Sequence, residues 1–375
     1  MNDTHPSDSQ RCPTQGSSRR RFLTSTGLAT VGVMAAHGSA PRIATASKVD
    51  SEVIIGAGEF TYRVHHHWPQ LPDKYSWQTT HNVAVDKAGN LYVIHEGLEK
   101  QSDHPAIFVF DEQGQFVRAF GQQFQGGGHG IEVHEEGGEE FLYIAAYQQV
   151  KCLAKLTLTG EVVWQQFAPM ASDKYAAGEA EHPQRAWGRD HFLPTNFAFL
   201  PDGGFLLADG YGSYFIHRYD AAGQWQSCFG GPGKGQGTFD TPHGIWIDAR
   251  GAEPIIIVAD RAHHTLQRLS LSGDYIDTID GFGLPANVDI CGDLMLVPEL
   301  VARVTILDKD NQVVARLGED VARISADRRR QIRETPADWQ AGKFVHPHDA
   351  CFAADGSIYV AEWVKTGRIT KLEKV

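Results

Sequence analysis

The chain has 375 residues, a formal net charge of −12 and 42% hydrophobic residues, so it can bury a large core and is not a disordered acidic segment. Its lysines and arginines form no basic stripe, and the densest basic run, Arg328–Arg330, is flanked by acidic residues. A polyanion needs clustered positive charge, so this excludes nucleic acid as an expected partner.

The N-terminus predicts an export signal. The segment SRRRFL at 18–23 resembles a twin-arginine signal and leads into an apolar run, followed by the small residues Ala44-Thr45-Ala46 of a cleavage site. We therefore expect residues 1–46 to be a signal peptide and residues 47–375 to be the mature domain, located in the periplasm or secreted. The apolar run is short for a membrane span, and none is expected in the mature chain. A basic disordered tail is the alternative.

Four cysteines follow the predicted cleavage site: Cys152, Cys228, Cys291 and Cys351. They form no C-x-x-C pair. An exported protein permits disulfides without requiring them, and the spacing favours buried free thiols.

The remaining chain repeats one unit six times. The copies open on HNVAVD at His81, HGIEVH at His129, TNFAFL at Thr195, HGIWID at His243, ANVDIC at Ala286 and HDACFA at His348. Each opening alternates like a strand and is followed by an Asp/Gly-rich turn and further short strands. Four antiparallel strands per period of roughly 40–50 residues make one propeller blade, so the sequence predicts an all-β fold, a six-bladed β-propeller.

The ends of the chain predict how the ring closes. The last unit stops after its third strand, RITKLEK, and the segment 52–65 could supply the missing fourth strand. Such pairing would remove an exposed sheet edge. Two connections are longer than the others, at 168–192 and 318–345, and the second has helical composition. Loops of this length are often binding loops or lids.

The opening positions explain why histidine recurs. The innermost strands of a propeller surround its axis, and units two, four and six place His129, His243 and His348 one third of a turn apart. Three converging imidazoles with an open fourth position are typical of a site for a divalent metal such as zinc. Asp349 could hold a second cation, calcium, together with backbone carbonyls. Solvated histidines in a polar channel, and an aspartate that caps a strand entry, are the alternatives.

Six short sequence motifs, in this order, carry a resemblance to a known family: GHGI at Gly128, PTN at Pro194, ADGYGS at Ala208, TPHGI at Thr241, VADR at Val258 and HPHD at His346. The units resemble NHL repeats, and residues 52–375 are similar to the peptidyl-α-hydroxyglycine α-amidating lyase family, also called peptidylamidoglycolate lyase. The resemblance implies a six-bladed propeller that cleaves a C-terminal α-hydroxyglycine peptide into a peptide amide and glyoxylate.

The resemblance also implies metal ligands. Zinc would bind His129, His243 and His348. A structural calcium would bind Asp349 and the backbone carbonyls of Val83 and Ile131.

The resemblance further implies Tyr211 as the catalytic tyrosine and Arg261 as a ligand for the substrate carboxylate. The chain departs from the family at Glu96, where a second arginine is expected, and a carboxylate there would repel an anionic substrate. Arg185 or Arg189 from the first long connection could replace the lost charge. A loop aromatic at 211 and an ion pair of Arg261 with Asp209 or Asp260 are the structural alternatives.

The function expected is that of an exported, monomeric, metal-dependent lyase acting on a small molecule or a peptide C-terminus. The first alternative is a non-catalytic propeller that presents its loops to a protein or a glycan. A lactonase-like calcium propeller ranks last, because it needs carboxylates and amides on the axis and the inner positions are mainly histidines.

Overall fold

The structure is a computed structural model that describes residues 52–97, 103–181 and 186–375. The signal peptide and cleavage site predicted within 1–46 lie outside this range and stay predictions. None of the helices within it is long and apolar enough to cross a membrane.

Short antiparallel strands build six sheets. Blade 1 contains β3 (Thr80–Val85), β4 (Leu91–His95), β5 (Ile107–Phe110) and β6 (Phe116–Phe120). Blade 2 contains β7 (Gly128–Glu136), β8 (Glu139–Ala146), β9 (Cys152–Thr157) and β10 (Val162–Gln166). Blade 3 contains β11 (Phe197–Phe199), β12 (Phe205–Ala208), β13 (Phe215–Tyr219) and β14 (Trp225–Gly230). Blade 4 contains β15 (Pro242–Asp248), β16 (Ile255–Asp260), β17 (Thr265–Leu269) and β18 (Tyr275–Ile279). Blade 5 contains β19 (Asp289–Cys291), β20 (Leu294–Glu299), β21 (Arg303–Leu307) and β22 (Val313–Leu317). Blade 6 contains β23 (Pro347–Phe352), β24 (Ile358–Glu362), β25 (Arg368–Lys374), β2 (Phe60–His66) and β1 (Ile54–Ala57).

The first strands of the blades contact one another in sequence, from β3 through β7, β11, β15, β19 and β23 and back to β3. This ring confirms the predicted six-bladed propeller.

Aspartates set the turns within the blades. In the turn between the third and fourth strands, Asp111, Asp220 and Asp308 each accept the backbone N–H four residues on through Oδ1, at 2.8 Å. The side chain thus replaces a ladder partner where the strand ends. Because these aspartate turns recur, the repeat can be recognised in the sequence.

The core lies between the blades. Apolar side chains from each sheet pack against those of the next, as Ile94 and Ile144 do between blades 1 and 2, or Leu206 and Ile256 between blades 3 and 4. The inner strands are therefore covered on both faces, which explains the nearly continuous burial of second strands such as β4, β12 and β24.

The closure of the ring is confirmed, with one difference. β2 pairs antiparallel with β25, from Tyr62 opposite Lys374 to His66 opposite Thr370. The segment forms a hairpin, because a Gly-rich turn with Gly58 at φ +59° lets β1 fold back on β2. Blade 6 therefore has five strands, where the sequence analysis expected four.

The two long connections differ in structure. The described part of 168–192 is irregular apart from a 3₁₀ turn at Met170–Ser172. The connection 318–345 contains α1 (Val321–Ala326) and α2 (Gln331–Glu334), which confirms its predicted helical character.

The expectation of buried free thiols is confirmed for Cys152, whereas Cys228 and Cys351 are free but half-buried. It is not confirmed for Cys291.

A buried ion pair fixes the connection 318–345 to blade 6. Arg368 donates to both oxygens of Glu362, and Glu362 also accepts the N–H of Val345 at 2.7 Å. Both side chains are at most 2% exposed. Removing one partner would leave the other charge buried and unpaired.

We expect Arg368→Met to lower the free energy of unfolding by about 3–5 kcal/mol. Lys309→Met is the matched control, because the Lys309–Asp310 pair is exposed and should contribute far less to the free energy of unfolding. Urea unfolding of both variants measures the difference. Equal stability of the two variants would contradict this assignment.

Candidate functional site

Four histidines meet on the propeller axis, all from opening positions of the repeat. The ring centroids of His129, His243 and His348 lie 4.6–5.0 Å apart. His81 lies beside them, 4.7 Å from His129 and 4.6 Å from His348. The three predicted imidazoles are therefore brought together, and the sequence analysis did not select the fourth.

The three predicted histidines share one orientation. Their Nδ1 atoms face the backbone carbonyl that opens the following blade: His129 faces Thr195 at 3.0 Å, His243 faces Ala286 at 2.6 Å, and His348 faces His81 at 2.8 Å. A carbonyl accepts only an N–H, so Nδ1 carries the proton and Nε2 keeps its lone pair. Histidines that bind metals are usually oriented by such a bond.

The Nε2 atoms of these histidines are the ones that could bind a metal, and that of His243 also lies 2.8 Å from the Tyr211 hydroxyl. The Nε2 atoms of His129 and His243 are 3.2 Å apart, and Nε2 of His348 is buried without a hydrogen-bond partner among the described residues. Burial holds the pKa of all three imidazoles well below the usual value, so they are neutral. Neutral lone pairs that converge in a buried space fit a bound cation, which would satisfy them together.

Glycine after histidine lets the blades approach. A Cβ on Gly130 would lie 2.2 Å from the Thr195 oxygen, and one on Gly244 would lie 2.4 Å from Cα of Asn287. Both positions follow a histidine and adjoin the carbonyl that orients it. Packing beside the site thus requires the glycine of the His-Gly-Ile motif in units two and four.

His81 differs from the other three. Its Nε2 lies 3.5 Å from Oε2 of Glu96, and its Nδ1 is buried without a hydrogen-bond partner among the described residues. By distance alone, His81, His129 and His348 form a group whose ligand atoms lie within 4.8 Å of one another and could hold a metal ion. The predicted set, with His243, and the set found by distance, with His81, therefore share His129 and His348.

Glu96 belongs to the wall of the site. It accepts a hydrogen bond from Gln148 in addition to its contact with His81. Burial disfavours its ionisation, but these contacts and the charge of Arg333 outweigh burial and lower the pKa of its carboxyl. A negative charge therefore stands beside the histidines.

Asp209 shapes the loop that presents Tyr211. One of its oxygens accepts the N–H of Leu193 at 2.7 Å, and the other accepts the N–H and the hydroxyl of Ser213 at 2.7 and 2.6 Å. The ADGYGS motif forms a loop around the Asp209 carboxylate, and this loop directs Tyr211 inward.

Tyr211 and Arg261 contact each other and the histidines. The Tyr211 hydroxyl lies 2.8 Å from Nε2 of His243, and Arg261 Nη1 donates to the Tyr211 oxygen at 3.1 Å. Burial raises the pKa of the Tyr211 phenol, and the Arg261 guanidinium partly offsets that rise. The expected ion pair of Arg261 with Asp209 or Asp260 is not what the structure shows, because Asp260 instead bonds His263 and Gln267.

Of the two arginines predicted to replace the lost charge, the structure describes one, Arg189. Arg185 lies outside the described residues. The Arg189 guanidinium stacks on the Tyr214 ring, 3.5 Å from its centroid. Substrate binding by either arginine stays a prediction.

A second layer of polar side chains lies next to the histidines along the strands. It contains three carboxylates and three amides, all buried: Glu132, Asp289, Asp349, Asn82, Asn196 and Asn287. A chain of hydrogen bonds runs from Asn196 to Asn287 at 2.8 Å and from Asn287 to Asp349 at 2.6 Å. The expectation that the inner positions are mainly histidines is therefore incomplete.

This layer has the oxygen donors that calcium prefers. The amide oxygens of Asn82 and Asn196 are buried without hydrogen-bond partners among the described residues. Burial raises the pKa of Asp289 to about 6, and burial together with neighbouring carboxylates raises that of Glu132. The predicted ligand Asp349 lies here, and the group of Val83 that it contacts is the backbone N–H, at 2.9 Å. Ligation by the carbonyls of Val83 and Ile131 stays a prediction.

Comparisons with known proteins show the fold. No protein-family model matches the sequence, and neither does any curated protein. A streptogramin B lyase structure is 13% identical with a TM-score of 0.50, and covers 83% of this chain and 97% of its own. The virginiamycin B lyase of Staphylococcus aureus is 11% identical with a TM-score of 0.50, and covers 84% and 100%. A gluconolactonase-like protein is 13% identical with a TM-score of 0.50, and covers 82% and 91%. These similarities confirm a propeller and leave the resemblance to the amidating lyase family as a prediction.

Proposed function

We propose that the protein is a metal-dependent lyase acting at the propeller axis on a hemiaminal of the α-hydroxyglycine type. The observation that carries this proposal is the arrangement of His129, His243 and His348, whose ring centroids lie 4.6–5.0 Å apart and whose Nδ1 atoms are each oriented by a carbonyl. These residues would hold the ion, and zinc suits three imidazoles with an open position.

When bound, such an ion supplies Lewis-acid polarisation of a substrate oxygen. The protein's own residues supply the rest. Arg261 would bind the substrate carboxylate in a charge-assisted pair. The Tyr211 oxygen is placed to take the proton of the hemiaminal hydroxyl, and Arg261 favours the phenolate that results.

The proposed reaction balances as follows. The hydroxyl loses its proton, its oxygen forms the carbonyl of glyoxylate, the carbon–nitrogen bond breaks, and the nitrogen gains a proton to give the amide. Glu96 affects binding more than chemistry in this scheme, because its charge beside His81 weakens the hold on an anionic substrate.

The test is glyoxylate release from α-hydroxyhippurate by purified, zinc-loaded protein. We expect release above background, and faster release at low substrate concentration with Glu96→Arg, which restores a positive charge. No release by either form would remove the lyase proposal. Loss of zinc on dialysis of the native protein would favour the non-catalytic scaffold.

The carboxylate and amide layer supports a second candidate, a calcium-dependent lactonase. Its support is the two amide oxygens that lack a hydrogen-bond partner in the described part of the chain and lie beside buried carboxylates. Lactone hydrolysis that needs calcium and persists in His243→Ala would favour this candidate. Lactone hydrolysis lost with His243 would argue against it.

We also propose that the mature protein is exported and monomeric. The N-terminal signal supports export, and size-exclusion chromatography with light scattering tests the oligomeric state.

A further inference from the structure

Three aromatic rings lead outward from the histidines. The Tyr147 ring lies 5.0 Å from His129, the Tyr211 ring lies 5.3 Å from Tyr147, and the Trp187 ring lies 5.2 Å from Tyr211 and 5.9 Å from Tyr147. Tyr147 is buried, Tyr211 is half-buried, and Trp187 is 56% exposed. An apolar surface thus starts at the candidate metal centre and ends in solvent.

A buried ion pair holds the segment that carries Trp187. Lys151 donates to Glu179 at 2.7 Å, and their side chains are 0% and 3% exposed. Glu179 also accepts from Phe192 N at 2.9 Å and lies 2.8 Å from Nδ1 of His191. Lys151 reaches the carbonyl of Ala186, the residue before Trp187, at 3.4 Å.

This anchoring makes the exposed ring a prearranged surface. Burying an ion pair is costly, and an exposed tryptophan gains little from packing. Fixing the backbone on both sides of Trp187 in advance lowers the entropy lost when a ligand stacks on it. Such an arrangement favours a flat apolar ligand, because aromatic rings bind one another by stacked and edge-to-face contacts.

We propose that Trp187, with Tyr147 and Tyr211, binds an aromatic group of the substrate next to the group held by Arg261 and the histidines. The substrate class is then a carboxylate or hemiaminal that carries an aromatic acyl group or side chain. This inference rests on the proposed function, because it takes the axis as the reacting end.

The test compares two simple probes, benzoate and acetate, by calorimetry on the zinc-loaded full protein. Both carry the carboxylate that Arg261 would bind, and only benzoate carries a ring. We expect benzoate to bind at least about tenfold tighter than acetate, since burial and stacking of one ring add that much. Trp187→Ala should remove most of this preference without changing acetate binding, and Trp187→Phe should retain it.

Phe167→Ala is the matched control, because Phe167 is 41% exposed and follows the outer strand β10. It should leave the ratio of the two affinities unchanged. The inference is overturned if Trp187→Ala leaves that ratio unchanged, or if it weakens both probes equally. Binding is measured without turnover, so selective benzoate binding with no glyoxylate release would end the lyase proposal and leave this inference standing.

Discussion

His243→Ala is expected to reduce zinc affinity more than about 100-fold, because it removes a ligand that a carbonyl already orients, and even the loss of an orienting partner costs 10–100-fold. Zinc content after dialysis should fall from one equivalent to near zero. His81→Ala is the matched control. It removes an imidazole of similar burial from the same axis, but one that faces Glu96 and whose Nδ1 has no carbonyl partner within the described ranges.

The two variants distinguish the two ligand sets. If His129, His243 and His348 bind the ion, His81→Ala retains zinc within about tenfold. If His81, His129 and His348 bind it, the outcome is reversed, and the threefold assignment is wrong. Thermal unfolding gives an independent measurement, since zinc at about 1,000 times the Kd adds about 4 kcal/mol to the free energy of unfolding of a form that binds it.

Tyr211→Phe is expected to lower kcat for glyoxylate release by about 10²–10⁴-fold, which is the usual contribution of a positioned acid or base. The ring and its contacts with Tyr147 and Trp187 remain, so folding and zinc content should not change. Only the oxygen that contacts His243 and Arg261 is lost.

Tyr214→Phe serves as the control for this prediction. Its hydroxyl lies 3.2 Å from that of Thr241, and its ring stacks with Arg189. We expect kcat to stay within about twofold, because this hydroxyl does not contact the histidines. A Tyr211→Phe variant as active as the native protein would exclude the tyrosine as the proton acceptor.

The fold was predictable because each repeat contains residue patterns that indicate its strands and turns. The alternating opening, the aspartate turn and the second strand recur with enough regularity to give the number of blades, and the incomplete last unit gives the closure. The hairpin at the closure was not predicted, because Gly58 allows a reversal that strand patterning does not require.

The site was predictable where it lies on strands. His129, His243 and His348 follow from register, since equivalent positions of a propeller face the axis. His81 carried the same signal, and the assumption of strict threefold symmetry left it out. The residues after these positions, Asn82, Asn196, Asn287 and Asp349, also share one register, so the polar layer could have been found in the same way.

The aromatic surface could not be predicted, because its members lie in loops. Tyr147 reaches the histidines, and Trp187 reaches the two tyrosines, only through the folding of segments with no periodicity. The carboxylate at Glu96 was evident from the sequence, but its contact with His81 depends on the position of the loop after β4.

The most direct test of the account is anomalous diffraction at the zinc edge from crystals of the zinc-loaded protein. We predict one strong peak on the propeller axis, in contact with Nε2 of His129, His243 and His348. A peak elsewhere, or an axis without one, would contradict the assignment of a metal centre to these three histidines.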